Sequence, residues 1–370
     1  MPTPAPDFAI IGGGVIGCAI ARALVLGGAQ RVTVIERATP GAEASNAAAG
    51  VLAVASSRAP RGALFDLKRA SAARFPALVD ALRGETGIDV AYASAGLLEL
   101  AFTSREAEQL DRLAQRRREQ GFAVERLDGD AVRARHPEVN PAVRRGAWFA
   151  DDAALDNGQL MQALHASAAA RGVTFRLGVA VERFEMARGR VTALHAGAER
   201  LVPGHVVLAA GAWTAALGRL LRAPIPVYAD RGEMLAVRPR APLGLPIFWR
   251  DGCLVPRASG EVLIGSTSAM RATDQLITAG AAATLLGRAV RMVPTLADAA
   301  VTRAWSGLRP YSTLGRPIIG PLGDFTNVTV ACGHHRNGIL LAPITADLIA
   351  DLLLQRATSL DLQPFRYRAR

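Results

Sequence analysis

The residues with an obvious chemical use begin at Gly12. Gly12-Gly13-Gly14-Val15-Ile16-Gly17 reads as G-x-G-x-x-G and follows the apolar run Phe8-Ala9-Ile10-Ile11 directly. Each glycine has a task in such a turn. Gly12 permits the tight bend, Gly14 admits a pyrophosphate to the backbone, and Gly17 lets helix and strand pack closely. The helix pattern that follows, through Val15, Ile20 and Leu24, is stopped by Gly27-Gly28. Its start would turn free N–H groups and a positive dipole end towards that pyrophosphate. Arg31-Val32-Thr33-Val34-Ile35 reads as the next strand and ends on Glu36, which can accept hydrogen bonds from a ribose diol. Strand, helix and acid agree on a bound dinucleotide, against the plainer reading of a packing turn. Glu36 would repel a 2′-phosphate, a point that the adjacent Arg37 weakens.

Arg309 is the main candidate for placing a substrate. It lies in Trp305-Ser306-Gly307-Leu308-Arg309-Pro310, an apolar stretch framed by Gly and Pro, where a buried charge needs a partner. A planar guanidinium matches a carboxylate with two parallel bonds. A structural salt bridge fits the local pattern equally well. Arg336, in Gly333-His334-His335-Arg336-Asn337-Gly338-Ile339-Leu340, could hold cofactor, substrate or a neighbouring carboxylate, and spacing does not choose among them. Other chemistries find little support. The six histidines form no H-E-x-x-H, no G-x-S-x-G is present, and a single lysine, Lys68, argues against Schiff-base catalysis. A bound dinucleotide is left to carry the hard chemistry, with the protein positioning a substrate against it.

The elements that must position these residues follow from pattern. Pro40 to Val51 is rich in small residues and suits backbone lying against something large and flat, or a flexible linker. Phe65 to Arg83 has helical spacing. Leu97 to Phe102 reads as a strand, and Ser104 to Gln120 as a charged helix with Ser104 as its N-cap. Asp156-Asn157-Gly158 precedes a helix over 159–170. Strands are expected at Val173-Thr174-Phe175, at Val179-Ala180-Val181 and at Val206 to Ala210. Gly211, at the end of the last, is a candidate close approach, with a turn as the alternative. From Pro224, short apolar runs between Gly, Pro and Asp turns predict an antiparallel sheet. A helix over 280–292 follows. The chain then returns to the first domain with Trp305-Ser306-Gly307, the strand Val328 to Ala331, and a second strand–glycine–helix junction at Gly333.

Composition bounds the answer. At 370 residues the chain is long enough for about two domains. The net charge of +11 does not argue for nucleic acid: the arginines are scattered, Arg116-Arg117-Arg118 reads as a solvated helix face, and no aromatic platform interleaves with them. Cys18, Cys253 and Cys332 are far apart and form no metal spacing, so no metal and a reducing, cytoplasmic setting are expected. Met1 to Asp7 lacks a basic n-region and reads as no signal peptide. The apolar stretch from Gly338 to Leu354 contains Pro343, Asp347 and Asp351 and predicts a buried or amphipathic helix, not a membrane span.

Taken together, these segments resemble the glycine oxidase/D-amino-acid oxidase family of flavoproteins, most closely its branch in thiamine biosynthesis. The resemblance spans nearly the whole chain. It rests on Ile10 to Gly17, Ala47 to Gly50, Ala210-Gly211-Ala212-Trp213, Arg231-Gly232-Glu233, Val255-Pro256-Arg257, Trp305 to Pro310 and Gly333 to Leu340. The last two are the most specific. The resemblance implies an α/β fold: a discontinuous Rossmann-type FAD-binding domain (1–85, 148–222, 306–370) with a second, mainly antiparallel β substrate domain (86–147, 223–305). It implies non-covalent FAD, with Ala44, Ser45, Ala49, Gly50 and Val51 beneath it, Val181 at its adenine end, and His334, His335, Arg336, Asn337, Gly338, Ile339 and Leu340 as a flavin-contacting turn. Arg309 matches the arginine that binds the substrate carboxylate, and Arg336 a second substrate-site arginine. Cys253 stands where the family often has a tyrosine touching substrate, and Leu314 replaces a frequent aspartate.

The implied activity is oxidative deamination of glycine, sarcosine and small D-amino acids by hydride transfer from the α-carbon of a neutral amine to flavin. O2 would be reduced to H2O2, and the imine would supply thiazole formation in thiamine biosynthesis. A related dehydrogenase using another electron acceptor and a non-catalytic flavin-binding subunit are the rivals. Homo-oligomerisation stays open.

Overall fold

The computed structural model describes residues 5–323 and 325–367. Residues 1–4 and 368–370, which the expected FAD domain and the reading of the N-terminus include, lie outside the described residues.

Six strands of the described residues form one sheet, in the order Ile318–Pro321, Val328–Cys332, His205–Leu208, Phe8–Ile11, Val32–Glu36 and Thr174–Leu177. All neighbours are parallel except the first pair. Its side chains alternate between two cores. Ile10, Val34 and Val207 pack with the helices Val15–Leu26, Asn157–Ala170 and Gly338–Leu353. Ala9, Ile11, Ile35, Val206 and Leu208 pack on the other side. That side is closed by the helix Thr214–Leu220 and by the small antiparallel sheet Val181–Ala187, Arg190–Ala196 and Glu199–Leu201. Cover on both faces is why these strands read as continuous apolar runs. The helix Gly338–Leu353 is almost wholly buried, as its composition predicts. Among the described residues no helix is long and apolar enough to cross a membrane.

Nine strands of the described residues form the second large sheet. Its order is Ala269–Met270, Val227–Arg238, Val262–Gly265, Gly252–Pro256, Ile247–Trp249, Leu97–Ala101, Arg145–Phe149 and Val124–Asp128, and Ala300–Ser312 also pairs with Val227–Arg238. Every pairing is antiparallel except that of Ile247–Trp249 with Leu97–Ala101. One face, with Leu98, Leu235, Leu254 and Ile264, packs on the helix Ala279–Met292. The other carries Met234, Cys253 and Phe248 and meets Ala49 and Val51.

Several local expectations change. Arg116 and Arg118 are exposed, but Arg117 is wholly buried. At 100° per residue it shares the inner face with Leu110, Leu113 and Ala114, so the triplet is not a uniform solvated face. Thr103, not Ser104, caps that helix: its hydroxyl accepts from Glu106 N, and the Glu106 carboxylate accepts from Thr103 N. Such a capping box is worth about 1 kcal/mol. Phe65 to Arg83 divides into Ala63–Ala72 and Phe75–Thr86, the second with Pro76 in its first turn. The strand Ala300–Ser312 crosses position 306 unbroken, so Gly307 and Pro310 lie in the antiparallel sheet and not in a return to the parallel one. Pro310 is tolerated there because this is an edge strand. The strand expected at Val179 begins at Val181.

Candidate functional site

A cavity of about 630 Å³ lies between the two large sheets. Gly12, Gly14, Val15, Ile16, Glu36, Arg37, Ala44, Ser45, Ala49, Gly50, Val51, Val181, Gly211, Cys253, Arg309 and His334 through Leu340 all line it. Gly17 does not line it.

At one end the strand Phe8–Ile11 passes into the helix Val15–Leu26. Gly12 has φ +112°, and a Cβ there would sit 2.4 Å from Ala209 O. A Cβ on Gly17 would fall 1.9 Å from Gly12 O, so Gly17 closes the turn from behind. The Val15 N–H at the helix start donates to Ser45 Oγ at 3.0 Å. Glu36 accepts from Gly13 N at 2.7 Å and from Ala38 N at 2.9 Å, so its carboxylate braces the glycine turn from the end of the neighbouring strand. Arg37 pairs with Glu43 and stacks 3.6 Å above the Trp213 ring. That occupies the guanidinium that weakened the argument against a 2′-phosphate. Gly211 has φ +53° with no atom within 4 Å of a built Cβ, which identifies a turn and not a close approach within the protein.

The small-residue segment beside this turn is tied down, not a flexible linker. Asn157 Nδ2 donates to Ser45 O at 2.7 Å and Asn46 O at 3.0 Å. Arg257 donates to Leu155 O at 2.6 Å, Ala49 O at 3.1 Å and Asn157 Oδ1 at 2.9 Å. Trp305 Nε1 donates to Ala47 O at 3.1 Å. Sequence reasoning missed Asn157 and Arg257 as determinants. The available signal was Asp156-Asn157-Gly158, which shows only as a helix start.

At the other end Arg309 stands on the long edge strand. Register places it opposite Asp230, and Gly232 opposite Gly307. A Cβ on Gly232 would lie 1.9 Å from the Arg309 guanidinium, so only glycine leaves room for it. Arg309 Nη1 donates to Asp230 Oδ2 at 3.2 Å and Thr267 O at 3.0 Å, and Nη2 to Ser266 Oγ at 2.8 Å. The structural salt bridge therefore exists, and the same guanidinium faces the cavity. Asp230, wholly buried, also accepts from Ser268 Oγ at 2.6 Å and His335 Nε2 at 2.7 Å. Burial alone would raise its carboxyl, but the bonds from His335 and Ser268 and the Arg309 charge hold it at about 2. Asp230 too was missed, because its partner is fixed only by strand register.

Arg336 is exposed to the cavity and, among the described residues, has no hydrogen-bond or ion-pair partner in the protein. His334 is buried against Thr345 Oγ1 at 3.1 Å, and burial pushes its imidazole down to about 3, so it stays neutral. Burial pushes the Cys253 thiol up to about 11 in spite of the nearby arginines, which leaves it an uncharged wall residue. The cavity thus joins a glycine cradle of dinucleotide type to an apolar wall with two guanidiniums, an arrangement able to hold a cofactor and a small carboxylate together.

Comparisons with known proteins agree. Residues 7–352 match the model of the DAO family, FAD dependent oxidoreductase. The chain is 36% identical over 365 residues to a glycine oxidase of Geobacillus kaustophilus, covering 97% of this chain and 96% of that protein. It is 36% identical over 360 residues to a bifunctional ThiO/ThiG protein of Synechocystis, covering 95% of this chain but 52% of that longer protein. The crystal structure of the Geobacillus kaustophilus glycine oxidase superposes with a TM-score of 0.93 at 35% identity, covering 97% of each chain. The glycine turn, the cavity it opens and the match along nearly the whole chain place this protein in the DAO family of FAD-dependent oxidoreductases.

Proposed function

We propose that the chain oxidises glycine and other small amines or amino acids, sarcosine and small D-amino acids among them, at the bond between α-carbon and nitrogen. The observation that carries this reading is the pairing in one cavity of the glycine cradle with Arg309 and the partner-free Arg336. The residues fit FAD: the turn at Gly12 to Ile16, with Ser45 held beside it by the Val15 N–H, suits its pyrophosphate, Glu36 its ribose, and the segment from Ala44 to Val51 its flat ring. FAD, when bound, supplies the acceptor for a hydride. The chain's own part is placement. Arg309, held by Asp230, Thr267 and Ser266, and Arg336 take the substrate carboxylate. Met234, Cys253 and Phe248 keep water from the reacting carbon. Neither histidine of the Gly333 junction is aimed as a base, since His334 is bonded to Thr345 and His335 to Asp230. An amine that arrives neutral needs none.

We further propose that FAD is non-covalent and that O2 is reduced to H2O2 in a cytoplasmic setting. Three buried free cysteines support a reducing compartment. The ThiO/ThiG fusions among the relatives support an imine passed on to thiazole formation. The parallel sheet would serve FAD and the antiparallel sheet the substrate, within about the ranges expected from sequence. The deciding experiment is anaerobic: a panel of amino acids is mixed with purified holoprotein and flavin absorbance is followed. Bleaching by glycine, then recovery with H2O2 on admitting air, is expected. A flavin that no amine bleaches would overturn the reading, and bleaching without recovery in air would remove O2 as the acceptor.

A further inference from the structure

Lys68 is the chain's only lysine. It lies on the helix Ala63–Ala72, is 6% exposed, and lines the cavity far along the chain from either arginine. Its Nζ donates to Ser57 Oγ at 3.1 Å, and among the described residues this is its one hydrogen-bond partner. An ammonium has three donors. The acid whose charge reaches it, Asp152, is already engaged by the N–H groups of Val54, Ala55 and Ser56 at 2.7–2.9 Å. Arg117, buried on the adjoining helix, repels it. Burial and that repulsion bring Lys68 down to about 8, so it is still mainly charged at pH 7. A buried ammonium with two donors unused, whose nearest acid is already engaged by backbone, is costly unless an anion comes to it.

Its surroundings in the cavity are polar. Ser56, Ser57 and Arg58 line the same wall, and Arg58 Nη2 donates to the buried Glu99 at 2.5 Å. Strand register places this group. Glu99 is opposite Phe248, and Phe248 is opposite Cys253. Two strand spacings, about 10 Å, therefore separate the backbone of Glu99 from that of Cys253. Cys253 in turn feels the charges of Arg309 and Arg336. The Glu99 carboxylate lines this wall too and offsets Arg58, so on this wall Lys68 is the cation with donors to spare, while Arg309 and Arg336 line the cavity elsewhere.

We propose that Lys68, with Ser57, forms a second anion subsite for an acidic group at the far end of the substrate, so that amino acids bearing a second carboxylate are preferred. This rests on the amine-oxidase reading above. Lys68 lines the cavity from a helix, and Arg309 and Arg336 line it from the edge strand and the Gly333 junction, so the second carboxylate is set apart from the first and its distance is read from the chain-length series.

Two measurements on holoprotein test it. In the first, flavin absorbance is titrated with non-oxidisable diacids (glutarate, adipate, pimelate) and with monoacids of equal length. In the second, kcat/KM is compared for N-(carboxyalkyl)glycines and N-alkylglycines of matched length. Wild type is expected to favour the diacid at least tenfold at one length in both series. Lys68→Met should reduce that ratio to within about twofold, and Lys68→Arg should restore much of it. Equal treatment of diacids and monoacids by wild type overturns the subsite whether or not any variant folds. An unchanged ratio in a folded, FAD-loaded Lys68→Met overturns it as well. Diacid binding without any turnover would overturn the oxidase reading and keep the subsite, whereas glycine turnover without diacid preference would do the reverse.

Discussion

At the residue scale, Arg309 holds two positions at once. It balances the buried Asp230 and it faces the cavity. Removing it strands a substrate carboxylate in a partly dry site, a loss of about 2–5 kcal/mol, or roughly 30- to several-thousand-fold in kcat/KM. Arg309→Ala is therefore expected to bind FAD, seen as the protein-bound flavin spectrum, but to turn over its best amino acid slowly, with Arg309→Lys in between. Activity within a few-fold of wild type would remove Arg309 from substrate binding. Asp230 keeps its bonds from Ser268 and His335 in either variant. Cys253 offers a second test. It is buried and neutral on the cavity wall, where relatives are expected to present a phenol. A lost hydrogen bond to a charged carboxylate is worth about 1.5–3 kcal/mol. Cys253→Tyr should shift preference towards glycine and away from sarcosine and D-alanine, read from the three kcat/KM values. Unchanged ratios with intact flavin content would mean that the pocket is shaped elsewhere.

At the element scale, the segment between Val54 and Ala59 is held by two buried charges of opposite sign. The Asp152 carboxylate accepts from the three successive N–H groups of Val54, Ala55 and Ser56. Arg117 donates to the carbonyls of Ala55, Ser57 and Ala59. Backbone that would otherwise be solvated is thus fixed against the cavity, with Ser56 and Ser57 on its wall and Arg58, largely exposed, at its edge. Arg117→Met leaves those carbonyls without their donor and Asp152 with Lys68 alone as a nearby cation, and should destabilise the fold by about 3–5 kcal/mol. Denaturant unfolding of the holoprotein checks this, and a cost under 1 kcal/mol would show that water replaces the guanidinium. Sequence could not reveal the arrangement. A triplet of arginines in a charged helix looks the same whether one of them is buried or not, because its carbonyl partners come from a loop about 60 positions earlier.

At the scale of the whole molecule, the cofactor cavity is walled by both large sheets, so occupancy and stability are linked. A ligand that binds only the native state stabilises it by RT ln(1 + [L]/Kd). FAD added to apoprotein should raise the midpoint of thermal unfolding in a concentration-dependent way, and denaturation should release yellow, protein-free flavin. Flavin that stays on the unfolded polypeptide would refute non-covalent binding. Acid should act through Asp230, which joins the long edge strand to the Gly333 junction through Arg309 and His335. Its carboxyl falls from 3.8 to about 2 on folding. The associated stability is therefore present above pH 4 and lost as pH falls through 4 towards 2. It amounts to about 2 kcal/mol. Asp230→Asn should flatten the stability profile in that window, and an equally steep acid limb in the variant would assign the effect to other carboxylates.

What the amino-acid sequence determined by itself was local and periodic. Gly12, Gly17 and Glu36 were legible because a tight turn, a close packing and a strand end each demand a residue type at fixed spacing. The parallel strands were legible because cover on both faces makes them continuously apolar. The runs at Trp305 and Gly333 marked Arg309 and Arg336 by composition alone. Tertiary structure decided everything that depends on register between distant strands. Asp230 meets Arg309 only because Val227–Arg238 and Ala300–Ser312 pair in one of many possible alignments. Asn157 and Arg257 meet the small-residue segment only when the two sheets close on it. The burial of Arg117 and Lys68 follows from the same closure. Hydrogen bonds across such separations leave no period in the sequence, because each partner needs only a donor or an acceptor, which most polar residues supply.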